Sequence, residues 1–192
     1  MKNQSPDTKE RILSTVVELL LDRKDVNQLT TREIARLANV NGASINYYYQ
    51  SKDNLVLKAV EVVMESMAKK LFDKDMKEKD QVGRLKTMIK EIAAFSFNNY
   101  YLSEIAISAE LKKGSINTSQ IILPLLQDIF KESKTSSELK VMAMQIIAPM
   151  QVMFLNASQY KDYLAVDVFN EEVRNELLDK MVDQILKECN ES

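Results

Sequence analysis

The chain has 192 residues, 45% of them hydrophobic, which suits one large globular domain or two small ones. It holds only three glycines and three prolines. Sheet proteins need turn residues every several positions, so this scarcity predicts an all-α fold of long helices with short connections. There is no histidine, which removes the commonest general base and the usual zinc ligand, and the formal net charge of −2 offers no electrostatic case for a nucleic-acid partner.

No glycine-rich phosphate loop and no catalytic constellation accompanies the missing histidine, so neither an enzyme nor a metal or cofactor is expected. The single cysteine, Cys189, leaves no internal disulfide. The start, MKNQSPDTKE, is polar rather than charged-then-apolar, and no apolar stretch reads as long enough to span a bilayer. A cytoplasmic protein without a membrane partner is the expectation.

In chain order, residues 8 to about 24 read as an amphipathic helix, with Ile12, Val16 and Leu20 recurring every four positions beside Leu13 and Val17. The polar break DVNQ follows. Thr30-Thr31-Arg32-Glu33 then has the form of a capping box, which starts a short helix ending near Ala38. Asn39 stands where the chain must turn sharply, and asparagine is the non-glycine residue best suited to a left-handed backbone. A helix from about Gly42 to Tyr49 comes next, and Ser51 caps a longer one with Leu55, Ala59, Val62, Val63, Met67 and Leu71 on its apolar side.

Two short helices around a three-residue turn form a helix-turn-helix. Ile34, Ala35 and Ala38, Val40 in the turn, and Ile45 with Tyr49 suffice to close a small core. If Ile45 and Tyr49 face inward, helical geometry points Ala43, Asn46, Tyr47 and Gln50 outward. That face is uncharged, and its amide and hydroxyl groups suit base edges and phosphates. Lys52, a cation in the first turn of the next helix, opposes the helix dipole, which a phosphate bound there would explain. An ordinary exposed lysine explains it about as well. Over the first 55 residues eight cations meet seven acids, so the DNA reading rests on geometry and not on charge.

The run LTTREIARLANVNGASINYYYQSKDNL, with capping box, turn, aromatic run and Ser-Lys-acid-x-Leu in order, resembles the DNA-binding signature of TetR/AcrR-family transcriptional regulators over about residues 8–60. The resemblance implies a three-helix DNA-binding domain, placed at 1–52, and a helical effector-binding and dimerisation domain at 53–192. It implies that Thr31 and Asn41, Gly42, Ala43 and Ser44 lie at the groove edge, with Tyr47, Tyr48 and Lys52 clamping phosphates. Thr30, Arg32 and Asn46 complete the DNA-facing set. Asn39 replaces a frequent glycine and Asn46 a frequent tyrosine of such signatures.

After the lysine- and acid-rich stretch DKDMKEKD, helices are expected at about 82–101, 102–112, 117–133, 137–156 and 170–189. The fourth of these, SSELKVMAMQIIAPMQVMFL, is apolar on nearly every side and must be covered on both. Val141, Ala148, Val152 and Leu155, with Val173, Leu177, Met181 and Ile185 of the last helix, are the candidate subunit contact. The resemblance implies a homodimer built as a four-helix bundle and hence a roughly palindromic double-stranded DNA operator.

Ten methionines suit an adaptable interior. Met88, Ile92, Phe95, Tyr101, Ile105, Leu125, Met142 and Met150 are candidates to line a cavity for a small, mostly apolar effector, with Asn98 and Gln145 as polar anchors; Pro149 frees the Gln145 carbonyl. Glu104 and Glu110 read as surface acids near Lys112 and Lys113. The function so implied is an effector-released repressor. The alternative is a helical interaction module of the same fold that does not bind DNA.

Overall fold

The computed structural model describes residues 7–22, 29–72 and 80–190. The polar break at 25–28 and the charged stretch at 73–79 lie outside the described residues. Ten helices and no strand occur among those described, as the shortage of turn residues predicts: α1 (Thr8–Asp22), α2 (Thr31–Leu37), α3 (Gly42–Tyr49), α4 (Lys52–Phe72), α5 (Gln81–Asn98), α6 (Tyr100–Lys113), α7 (Asn117–Phe130), α8 (Ser136–Leu155), α9 (Ala157–Leu164) and α10 (Glu171–Asn190).

The chain divides into two compact units, Met1–Lys74 and Asp75–Ser192. The 52/53 division drawn from the sequence differs from this because α4 does not merely connect. Its Leu55, Val56, Ala59, Val60 and Val63 are buried, and it packs against α1 and α3. Within the first unit Ile12, Val16 and Leu20 of α1 meet that face, while Leu29, Ile34, Ala35, Ala38 and Ile45 fill the space under the two short helices.

In the second unit α7 packs on α5 and α8, and α10 on α5 and α8. α8 supplies more of the core than any other helix described: Leu139, Met142, Ala143, Ile146, Ile147, Met150, Met153 and Phe154 are all buried. A true capping box starts it. The Thr135 hydroxyl accepts from the Glu138 amide at 3.3 Å, and the Glu138 carboxylate accepts from the Thr135 amide at 2.7 Å. The Thr135 hydroxyl, which also donates to the Glu138 carboxylate at 2.7 Å, and then the Thr135 amide hold that carboxyl below the usual carboxylate range. The helix runs on through Pro149 to Leu155.

By length and composition, with a mean hydropathy of 1.3, α8 is apolar enough to cross a membrane, contrary to the sequence expectation that no such stretch exists. Half of its most apolar window is buried inside the protein, as in the core helix of a helical domain.

Helix α9 was not anticipated. Its segment, ASQYKDYL, is short and polar and buries only Ala157, so it carries no apolar period to read. It ends at Ala165 in the left-handed region, φ 52°. Asp167 then ties the connection together, pairing with Lys161 at 2.6 Å and accepting from the Phe169 amide at 3.1 Å. Asn170 caps α10 through the Val173 amide.

Candidate nucleic-acid interface

The turn between α2 and α3 is built as the sequence suggests. Thr30 is extended, φ −100° and ψ 149°, and its hydroxyl accepts from the Glu33 amide at 3.1 Å, which fixes the start of α2. At the other end Val40 N–H donates to Ala35 C=O at 2.9 Å and Asn39 N–H to Arg36 C=O at 3.3 Å. With Asn39 left-handed at φ 51°, this is a Schellman closure. Asn41 then caps α3 by accepting from the Ala43 amide at 2.9 Å.

α3 is oriented from beneath. Ile45 is wholly buried, and the Tyr49 hydroxyl donates to the Lys9 carbonyl on α1 at 2.7 Å. Burial, and then the nearby Asp7 and Glu10 carboxylates, push the Tyr49 phenol above its ordinary value. α3 closes at Gln50, whose φ of 68° is costly for a residue with a Cβ. Its amide still donates to Asn46 C=O.

With Ile45 and Tyr49 inward, the opposite face of α3 meets solvent. Ala43, Asn46 and Gln50 are exposed, and Tyr47 is 81% exposed. Tyr48 is half-buried and meets Tyr47 edge to face, ring centroids 4.9 Å apart. A Cβ added to Gly42 would meet nothing within 4 Å, and this glycine does not need a positive φ. Nothing among the described residues requires glycine there, whereas close approach of another molecule's backbone would. Arg32 and Thr30 are exposed; Thr31, Ser44 and Lys52 are half-buried on the same unit. The Asn41 and Thr30 oxygens are occupied as helix caps, which leaves the Asn41 amide nitrogen and the Thr30 proton as their outward-acting groups. Ser51 likewise caps α4 through the Asn54 amide, leaving Lys52 beside a helix start.

Residues 13–59 match the family described as bacterial regulatory proteins, tetR family. These residues, about a quarter of the chain, form a tetR-family domain. The match covers the helix-turn-helix and the start of α4, the part whose geometry is described above. Among curated relatives, the nucleoid occlusion factor SlmA of Vibrio cholerae serotype O1 is 24% identical over 103 residues, 54% of this chain and 53% of SlmA. The uncharacterized HTH-type transcriptional regulator YxbF of Bacillus subtilis is 31% identical over 68 residues, 35% of this chain and 18% of YxbF. The chain therefore spans about half or less of the length of these relatives. The crystal structure of a TetR-like transcriptional regulator from Rhodococcus sp. RHA1 shares the fold at a TM-score of 0.51 and 13% identity, covering 97% of this chain and 99% of that one.

In the second unit the expected effector residues divide. Met88, Leu125, Met142 and Met150 are buried, and Ile92, Phe95, Tyr101 and Ile105 are half-buried. Both expected polar anchors, Asn98 and Gln145, are exposed. The amide that α8 turns inward is Gln151, which sequence reading passed over although it shares a stripe with Ile147 and Phe154. Its Nε2 donates at 3.0 Å to Glu110, whose carboxylate also accepts from the Thr118 amide at 2.8 Å and hydroxyl at 2.6 Å. Glu110 is thus a joint between α6, α7 and α8 and not the surface acid expected. An open groove of about 490 Å³ is lined by the charged and amide residues Lys90, Glu171, Glu172, Asn175, Glu176 and Asp179 and shares no residue with the expected apolar set.

Proposed function

We propose that this protein regulates transcription by binding a roughly palindromic DNA operator as a homodimer, and that a small, mostly apolar effector releases it. One observation carries the DNA part: α3 is anchored from below by Ile45 and Tyr49 and offers an uncharged, solvent-facing row of Gly42, Ala43, Asn46 and Tyr47. A phenol left 81% exposed and an unneeded glycine are poor choices for stability and good ones for contact with a sugar–phosphate backbone. Thr31, Ser44 and Tyr48 supply further hydroxyls, and Arg32 and Lys52 the charge.

The dimer reading is supported by α8. Val141 is 52%, Met144 47% and Val152 38% exposed, and with Ala148 and Leu155 they follow one side of the helix opposite its buried stripe. Val173, Leu177, Met181 and Ile185 of α10 are only half-buried within their own chain. Pairing these faces across a two-fold axis would cover both. The buried methionines of α5 and α8 support an interior able to repack around an apolar molecule. Effector release follows from linkage: a ligand that prefers the spacing of reading heads unsuited to the operator weakens DNA binding by that preference.

Selection of bound duplexes from a random pool tests the reading. A palindromic consensus with two half-sites is expected. Absence of any enriched sequence, together with no binding to random duplex even at low salt, selects the interaction-module alternative that the weak positive charge favours.

A further inference from the structure

The second unit contains a buried cation that forms no ion pair among the described residues. Arg174, in the first turn of α10, is 3% exposed. Its Nη1 donates to the Val168 carbonyl at 2.9 Å, and its guanidinium carbon lies 4.5 Å from the centroid of the Phe97 ring. Among the described residues no carboxylate forms an ion pair with it, and its buried Nε has no hydrogen-bond partner. The edge of a guanidinium formed by Nε and Nη2 is one that a carboxylate grips with two parallel bonds. A buried charge served by one carbonyl and one ring face is under-compensated. Burial correspondingly lowers the Arg174 pKa, which Glu171 nearby offsets only in part.

The surroundings select the rest of the ligand. Phe97 meets Phe154 edge to face at 5.0 Å and Phe169 at 5.5 Å, and Tyr100 lies 4.7 Å from Phe154 and 5.8 Å from Phe169. Phe154 is buried, whereas Phe169 is 49% exposed. The Phe169 amide donates to Asp167, and at 49% exposure its ring is the most exposed of this aromatic cluster. A ligand ring standing in place of the Phe169 ring would lie against Phe97 and Tyr100.

We propose that Arg174, Phe97 and Tyr100 form a binding site for a small aromatic carboxylate whose ring replaces that of Phe169 and whose carboxylate takes the free edge of the guanidinium. None of these residues belongs to the set expected for the apolar effector, and the inference does not depend on DNA binding.

Calorimetric titration of the full chain, without DNA, tests it with benzoate as the probe, benzamide as its neutral counterpart and sulfate as a plain anion. Benzoate is expected to bind at least tenfold more tightly than benzamide. Arg174→Gln should bring benzoate down to the benzamide level, and Phe169→Ala should tighten benzoate severalfold by removing the competing ring. Circular dichroism reports whether Arg174→Gln is folded; if it is not, the Phe169→Ala comparison decides alone. Equal heats for benzoate and benzamide in both wild type and Phe169→Ala overturn the site. So does sulfate displacing benzoate at equal concentration, which marks an anion site without aromatic selectivity.

Discussion

Replacing Tyr49 by phenylalanine isolates the bond that sets α3 on α1. The ring stays, so the packing beside Ile45 is retained, and only the 2.7 Å hydrogen bond to the Lys9 carbonyl is lost. That carbonyl lies within α1 and keeps its helical partner one turn on, so no acceptor is orphaned. The expected cost is then that of one net hydrogen bond, about 0.5–1.5 kcal/mol. For a unit of 74 residues each kcal/mol lowers the melting temperature by about 4–8 °C. Tyr49→Ala, by contrast, removes the ring as well and should cost about 3–5 kcal/mol, much of the stability of so small a unit.

The pH dependence gives a second, independent signature. The phenol is pushed up in the folded state by burial, with Asp7 and Glu10 adding to it. A group whose folded pKa is raised contributes stability that is fully present below its unfolded value, about 10 for tyrosine, and is lost as pH rises through the folded value. Thermal melts of wild type and Tyr49→Phe between pH 7 and 11 should therefore show a gap that is constant up to about pH 10 and narrows above it. A Tyr49→Phe protein as stable as wild type at pH 7, or a gap that does not change with pH, refutes the claim that this bond seats the reading helix.

On the DNA face, Lys52→Ala should weaken binding to all sequences alike and reduce the salt slope by about one, while Tyr47→Ala should shift stability by less than about 0.5 kcal/mol yet lower operator affinity roughly tenfold; gel-shift titrations at several salt concentrations and melting curves check both. Val141→Glu combined with Val152→Glu places two charges in the proposed subunit contact; on the proposed reading the parent should sediment as a dimer and this variant as a folded monomer. In the joint between α6, α7 and α8, Gln151→Met removes one of three donors to Glu110, and the second unit should lose about 1–2 kcal/mol in chemical denaturation.

The helix-turn-helix was legible because its signals are local. A cap at Thr30, a left-handed turn at Asn39 and the four-residue step from Ile45 to Tyr49 are each settled within a few residues, and each is present in the structure. The second unit was legible only where a long apolar period exists, as on α5, α7 and α8. α9 has no such period and was missed, and α7 stops at Phe130 instead of near Ser133 because Lys131 takes a φ of 49°, which nothing in the residue type announces. Buried polar groups were the least readable. Gln151, Glu110 and Arg174 each look like surface residues in a one-dimensional pattern, because the groups they meet lie elsewhere: on another helix for the first two, and in the α9–α10 connection and on the Phe97 ring of α5 for Arg174. Asn98 and Gln145 show the converse error, since an amide near an apolar run gives no indication of which side of the helix wins it.

The near-neutral reading face bears on why two copies would be required. α3 itself carries no charge, and only Arg32 and Lys52 of the proposed contact set do. Each head then neutralises few phosphates, so a single head binds DNA weakly and loses little affinity as salt rises. In the proposed dimer, tight and selective binding would come from joining two such heads, where the second binds at the effective concentration fixed by the first. That gain disappears when the spacing no longer matches the half-sites. A protein whose heads held DNA by charge alone would stay bound through a small change in spacing; one that relies on uncharged groups and on geometry would not. In the proposed mechanism, weak individual heads would make release by an effector physically economical, since the ligand would need only to favour the wrong spacing and not to mask any DNA-binding group.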